Sequence, residues 1–139
     1  MSDRGYDQLE LRRAEASRAS VRLLEAVKRC ADGGDDMLRD ALIQRFEFAF
    51  EATWKAIKPY VEHLGLEAGS PRQAICSLIP ARLVDDEDEV DAWLAMLEDR
   101  NLTSHTYIEA LSVSVPERVA RSHALRLSAM AERLGTLVW

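Results

Sequence analysis

The sequence predicts an all-α protein that folds as an antiparallel, up-and-down four-helix bundle with one extra short helix. Apolar residues recur at steps of three and four along most of the 139 residues, which is the helical period. The four prolines and six glycines fall mostly at breaks between these segments, and no strand-like alternation occurs. Since modest loops join the helices and the length suits one domain, a single bundle over residues 1–139 is the simplest packing.

Composition favours a folded, soluble protein. Apolar residues make up 47% and charged residues 30%, no apolar run approaches the ~20 residues of a membrane span, and the N-terminus lacks a signal core. We therefore expect a cytoplasmic location and no membrane contact. The net charge of −6 argues mildly against a protein that grips long nucleic acids, although a local basic groove stays compatible with it. Cys30 and Cys76 lack metal-ligand spacing, so we expect reduced, buried side chains.

The first two helices carry much of the predicted core. Helix one is expected over residues 6–31 and helix two over residues 37–64, with an aspartate of the intervening loop as the N-cap of helix two. All three phenylalanines lie in helix two, and Gly65 is expected to end it. Pro59 is expected to kink helix two or to split off its last turn.

Ser70, Pro71 and Gln73 form a capping box that predicts a short third helix over residues 71–79. An irregular connector is expected over residues 81–84. The acidic run 85–89 fits a metal site less well than a solvated helix start, where carboxylates interact favourably with the helix dipole.

The fourth helix is expected to begin near Glu87, and its C-terminal end leads into the most reactive stretch of the chain. A second capping box at Ser114 predicts a fifth helix over residues 115–134. His123 lies on the apolar stripe of that helix and is expected to be a core histidine with satisfied hydrogen bonds, whereas His63 is expected at the surface.

The stretch from Asp99 to Tyr107 groups an arginine, an amide, an imidazole and a phenol within nine residues. His105 can give and take a proton near neutral pH, and Arg100 presents a planar fork of donors that suits a phosphate. Together they suffice for metal-independent cleavage of a phosphodiester, and nothing in the sequence resembles a zinc or two-metal site. We expect neither a metal nor another cofactor.

The geometry of an α-helix restricts this hypothesis. Arg100 and His105 are roughly 140° apart on a straight helix, so one helix does not aim both at the same point. Either the helix ends or distorts near residues 103–104, or a second copy of the chain contributes its own pair. We favour a homodimer with a composite cleft.

The Arg–x4–His spacing is weak evidence by itself. Arg118 and His123 have the same separation, with nothing reactive beside them in the sequence. An arginine four to six residues before a histidine is expected about once by chance in a chain of this composition. The tyrosine two residues after the histidine, Tyr107, distinguishes the first pair from the second.

Three blocks of the sequence carry a family resemblance: QRFEFAFEATWK at 44–55, SPRQAI at 70–75 and WLAMLEDRNLTSHTY at 93–107. In this order they resemble the HEPN-domain proteins, and more narrowly the branch called nucleotidyltransferase substrate-binding proteins. The resemblance is close between residues 38 and 110, and the two end helices match by pattern only. It implies a dimerising helical bundle encoded beside a small MNT-type nucleotidyltransferase.

Two functions are known within this family. In many HEPN toxins the positions of Arg100, Asn101 and His105 form a ribonuclease site at the dimer interface. The resemblance then implies RNA as substrate and transfer of AMP to Tyr107 by the nucleotidyltransferase as the silencing step. Alternatively, the chain is a non-catalytic subunit that presents substrate to the nucleotidyltransferase.

Simpler roles stay open for several of these residues. His105 is also suited to interact with the helix dipole, and Asn101 to cap a helix end. Tyr107 is also compatible with a half-buried ring whose hydroxyl is hydrated. Trp54 and Trp93 are interpreted as core or dimer-interface residues rather than as platforms for base stacking. Glu47 and Glu51 are interpreted as exposed carboxylates rather than as contacts of the fourth helix or of the partner enzyme.

Overall fold

A computed structural model describes residues 3–105 and 114–138, without the side chains of residues 3–6 and of His105. No strand occurs in these ranges, and none of their helices is both long and apolar enough to cross a membrane. The predicted all-α bundle is confirmed. Its elements are α1 (Asp3–Ala31), α2 (Asp36–His63), α3 (Pro71–Cys76), α4 (Glu87–His105), α5 (Ser114–Arg118), the π-helical turn π1 (Val119–His123) and α6 (Ala124–Gly135).

The core lies between α1, α2 and the C-terminal helical segment, with α4 and α3 packed on α2. Phe46 and Phe50 of α2 are fully buried, as the apolar stripe of this helix predicts. Trp54 is 9% exposed and Trp93 is 1% exposed, so both belong to the core of the chain itself. The exception among the phenylalanines is Phe48, which is 65% exposed.

Side chains cap the helix starts as the sequence predicts. Asp35 accepts a hydrogen bond from the backbone N–H of Leu38 at 2.9 Å. Ser70 accepts one from Gln73, whose amide oxygen accepts in turn from Gly69. In the acidic run, Asp86 accepts from the N–H of Glu89 at 2.9 Å and satisfies one of the free donors at the start of α4.

The structure confirms one predicted helix end, and it differs from the sequence predictions at α3 and at Cys76. Gly65 has a φ of 80° just after α2, which a side chain would disfavour, so the predicted stop is confirmed. Pro59 lies inside a continuous α2 and does not split off a turn. The short helix α3 ends at Cys76, three residues before its predicted end, and Cys76 is exposed rather than buried.

The predicted fifth helix is helical over the expected range but not uniformly α-helical. Between α5 and α6, the N–H of Ala124 donates to the carbonyl of Val119, five residues earlier. This π-helical pattern inserts one residue into the helix and rotates the side chains that follow it. The consequence for Arg118 and His123 was not predicted.

Candidate functional site

The candidate site lies where the C-terminal part of α4 faces α2. Arg100 donates from Nη2 to Glu51 Oε2 at 3.1 Å, and its Nη1 lies 3.4 Å from Asn101 Oδ1. Its side chain is 30% exposed, and that of Glu51 is 33% exposed. Lys55, one turn further along α2, places Nζ 3.4 Å from the other oxygen of Glu51. The guanidinium is thus held by a second helix at the edge of solvent.

A second carboxylate of α2 also contacts the motif. Ser104 donates to Glu47 Oε2 at 3.5 Å and to the carbonyl of Arg100 at 3.2 Å. The interpretation of Glu47 and Glu51 as ordinary exposed carboxylates is therefore wrong. Because they lie one turn apart, at the edge of the buried stripe of α2, both face α4.

Arg100 retains free donor capacity in this arrangement. Glu51 accepts from Nη2 and Asn101 Oδ1 from Nη1, so each terminal nitrogen keeps a further N–H for another acceptor, whereas Nε is buried away from solvent. The neighbouring Asn101 is exposed. A fixed guanidinium with unused donors at the surface can bind an anionic oxygen without first losing its contact with Glu51.

The helix is not distorted at residues 103–104, so one of the two alternatives for bringing Arg100 and His105 together does not apply there. Thr103 and Ser104 are α-helical, both donate to the carbonyl of Arg100, and α4 continues to His105. Arg100 and Asn101 are thus placed together with Glu47 and Glu51. The side chain of His105 and all of Tyr107 lie outside the described residues, so their predicted roles stay predictions.

A buried charge cluster is centred on Asp99, the residue that precedes Arg100 in α4. Arg118 donates to both carboxylate oxygens, at 2.8 Å from Nε and 2.6 Å from Nη2. His123 Nε2 lies 2.8 Å from Asp99 Oδ2, and Asp99 and His123 are only 6% and 4% exposed. Burial raises the pKa of Asp99, but hydrogen bonds from Arg118 and His123 outweigh it and lower the pKa from 3.8 to about 2.

The π-helical turn explains why Arg118 and His123 reach the same carboxylate. Residues five apart lie roughly 140° apart on an α-helix, whereas the i→i+5 pattern of a π-helix brings them to one side. The ring of Phe46 stacks on His123 with centroids 5.5 Å apart and an interplanar angle of 18°. The cluster therefore links α4, α2 and the C-terminal helical segment.

The sequence interpretation of this second pair missed one contact, and its prediction of a core histidine is largely confirmed. Asp99 is a reactive neighbour of Arg118 and His123 in space although not in sequence. His123 is buried as predicted but only partly satisfied, because its Nδ1 has no partner among the described residues. The sequence did contain a signal for the missed contact. Asp99 lies on the same face of α4 as the buried Met96 and Thr103, so its carboxylate could be expected to face the core.

Comparison with known proteins identifies the family. Residues 11–136 match the family described as nucleotidyltransferase substrate binding protein like. The chain belongs to this family. The predicted HEPN resemblance is thereby confirmed, although a comparison with curated proteins found no match.

Solved structures share the fold of this family member. A Thermus thermophilus protein is 36% identical, with a TM-score of 0.69, and the alignment covers 83% of this chain and 98% of that one. A tri-AMPylated Shewanella oneidensis HEPN toxin, solved in complex with MNT antitoxin, has a TM-score of 0.75 at 19% identity over 99% of this chain and 100% of its own. A toxin–antitoxin structure with AMP-PNP has a TM-score of 0.73 at 19% identity, covering 96% and 99%.

Proposed function

We propose that this protein is the HEPN ribonuclease toxin of a HEPN/MNT toxin–antitoxin pair and acts in the cytoplasm as one HEPN-like domain. Family membership and a fold shared with a HEPN toxin support the toxin–antitoxin setting. The observation that carries the catalytic part is the fixed guanidinium of Arg100. Glu51 holds it at the edge of solvent, and its terminal nitrogens keep N–H groups for a further acceptor, as a phosphate clamp requires.

The proposed reaction is cleavage of RNA by its own 2′-hydroxyl. The 2′-oxygen attacks the adjacent phosphorus, a P–O2′ bond forms and the P–O5′ bond breaks. The products are a 2′,3′-cyclic phosphate and a 5′-hydroxyl. His105 acts as general acid/base, taking the proton of the 2′-hydroxyl or giving one to the leaving 5′-oxygen. Arg100 binds the negative charge that builds up on the phosphorane, and Asn101 positions the phosphate as a hydrogen-bond donor.

We propose that two copies of the chain form the cleft. Because the backbone of α4 remains helical through residue 105, positions 100 and 105 lie roughly 140° apart around the helix axis. A homodimer that places two α4 helices side by side brings the arginine of one copy near the histidine of the other. In this dimer the exposed Asn101 lies between the two α4 helices.

Regulation is proposed to act on Tyr107. The similar HEPN toxin carries AMP groups in its complex with MNT antitoxin. Transfer of AMP to the Tyr107 hydroxyl by an MNT-type nucleotidyltransferase adds a phosphodiester charge two residues after His105. That charge competes with RNA for Arg100 and obstructs the cleft.

A second function, from a different class, is a non-catalytic subunit that binds substrate for the nucleotidyltransferase. The observation that favours it is the pair of carboxylates at the motif. Glu51 partly neutralises Arg100, and Glu47 adds a further negative charge in a chain of net charge −6. Such surroundings repel a polyanion more than they repel a protein partner.

Expression of the chain alone, beside a His105→Ala version, tests the proposal. We expect growth arrest and fragmented RNA with the parent, neither with the variant, and fragments that end in a cyclic phosphate. Co-expression with the MNT-type enzyme then restores growth and adds the mass of AMP to the peptide that contains Tyr107. Intact RNA and normal growth with both versions at equal expression would favour the substrate-binding function.

A further inference from the structure

A groove between α1 and α2 has a lining unlike that of the Arg100 site. Its volume is about 420 Å³ and it is lined by Ala19, Arg22, Ala41, Gln44, Arg45 and Phe48. Arg22 and Gln44 are exposed, and Phe48 shows 65% of its surface to solvent. The lining thus combines two guanidinium groups, an amide and an aromatic ring, without a carboxylate.

Arg45 is fixed within this groove. Its Nη1 donates to the backbone carbonyl of Arg22 at 2.9 Å, across the junction of the two helices. Glu25 lies 4.0 Å from the same nitrogen, at the edge of the groove, with its side chain 62% exposed. Such an exposed ion pair is weak, so the positive charge of Arg45 stays available to a stronger anion.

The groove differs in kind from the other clefts of the described residues. The cleft beside Arg82, Arg126 and Arg133 has no aromatic ring and includes Asp85 and Glu89. In that cleft Glu89 already accepts two hydrogen bonds from Arg126. The combination of an exposed ring with guanidinium groups is the one that nucleic-acid proteins use for unpaired bases and their phosphates.

The position of the groove connects it to the candidate site. Gln44 and Phe48 lie on the exposed face of α2, and Glu51, three residues after Phe48 at the partly buried edge of that face, binds Arg100. From Phe48 to Glu51 the rise along the helix is only about 4.5 Å. A strand that lies along this face therefore passes from the ring of Phe48 to the guanidinium of Arg100.

We propose that this groove is a binding subsite for single-stranded RNA next to the cleavage site. One unpaired base stacks on Phe48, and Arg22 and Arg45 bind the adjoining phosphate. This subsite rests on the proposed ribonuclease function. It specifies the surface on which the substrate lies and requires that the substrate be single-stranded. It also accounts for RNA binding by a chain of net charge −6, because the contact charge is local.

RNA binding by the full chain in a His105→Ala background tests the subsite separately from cleavage. The probe is a fluorescent single-stranded RNA octamer, and a second octamer has the same ribose-phosphate backbone without bases. We expect Phe48→Leu to weaken binding of the complete octamer about tenfold by anisotropy and to leave the baseless octamer unaffected. Arg22→Gln should weaken binding of both and flatten the salt dependence by about one unit of log–log slope.

Arg72→Gln is the matched control, since Arg72 is exposed on α3 and lies outside the groove. It should leave both affinities unchanged. Equal affinities of Phe48→Leu and its parent for the complete octamer would overturn the subsite. So would a loss of self-association in sedimentation without a change in RNA affinity, which would make this face a contact between copies. Neither result alters the outcome of the cellular cleavage test with His105→Ala.

Discussion

The two Arg–x4–His pairs of this chain have the same spacing, but their arginines have different surroundings. The pair Arg118 and His123 converges on one carboxylate, and its histidine is 4% exposed. Arg100, in the other pair, is partly exposed and is held by Glu51 through one donor. The difference arises from the helices that carry them, because the first pair spans a π-helical turn whereas α4 is α-helical from Arg100 to His105.

This comparison shows that spacing alone does not assign a role. A π-helical turn aligns residues five apart, so the Arg118 pair folds back onto Asp99 within its own chain. An α-helix separates such positions by roughly 140°, and Arg100 in α4 contacts Glu51 of α2 instead. We infer that the first arrangement stabilises the fold and that the second serves chemistry. The predictions below separate these two roles.

The largest effect is expected for Arg100→Ala. Cleavage of RNA should fall by about 10²–10³-fold, as for loss of one donor to a developing oxyanion. The free energy of unfolding should change by less than about 1 kcal/mol, because the Arg100–Glu51 ion pair is partly exposed. Single-turnover cleavage together with urea denaturation measures both. A large loss of stability with unchanged cleavage would assign Arg100 a structural role.

The next largest effect is expected for Asp99→Asn. Loss of the charge leaves Arg118 and His123 facing an amide, and breaking a buried ion pair costs about 3–5 kcal/mol. Since the Arg118 side chain is 36% exposed, we expect the free energy of unfolding to fall by about 2–3 kcal/mol. Glu98→Gln, one residue away and exposed, is the control and should unfold like the parent. Equal stability of the two variants would contradict the assigned role of the Asp99 cluster.

A smaller effect on the free energy of unfolding is expected when the pH is lowered. The Asp99 carboxyl has a pKa of about 2 in the folded chain against 3.8 ordinarily, so the unfolded chain binds a proton first as pH falls. The stabilisation is complete above about pH 4 and is lost as pH falls toward 2, amounting to about 2 kcal/mol. The difference in free energy of unfolding between the parent and Asp99→Asn should therefore shrink by that amount over this interval. A difference independent of pH would place the stabilisation elsewhere.

Local patterns were sufficient to predict most of the fold. The apolar stripe of α2, the caps at Asp35 and Ser70 and the stop at Gly65 depend on residues close in sequence, and the structure has them. The π-helical turn was missed because no local pattern in the sequence signals an inserted residue within a continuous amphipathic helix. Asp99, on another helix, contacts Arg118 just before the turn and His123 at its end.

The candidate site was predicted in its residue types and only partly in its contacts. Arg100 and Asn101 were identified from side-chain chemistry and from family resemblance. The carboxylates Glu47 and Glu51 were assigned to solvent, because periodicity places them at the edge of a stripe and does not say which helix lies beside that edge. Contacts between helices distant in sequence decide such positions.

The most direct test compares His105→Ala with His123→Ala, each assayed for RNA cleavage well below its melting temperature. The account predicts that His105→Ala melts like the parent and cleaves no RNA. His123→Ala should melt at a lower temperature, because it removes a buried partner of Asp99 and Phe46, and should still cleave RNA while folded. Cleavage that survives in His105→Ala and disappears in folded His123→Ala would contradict it.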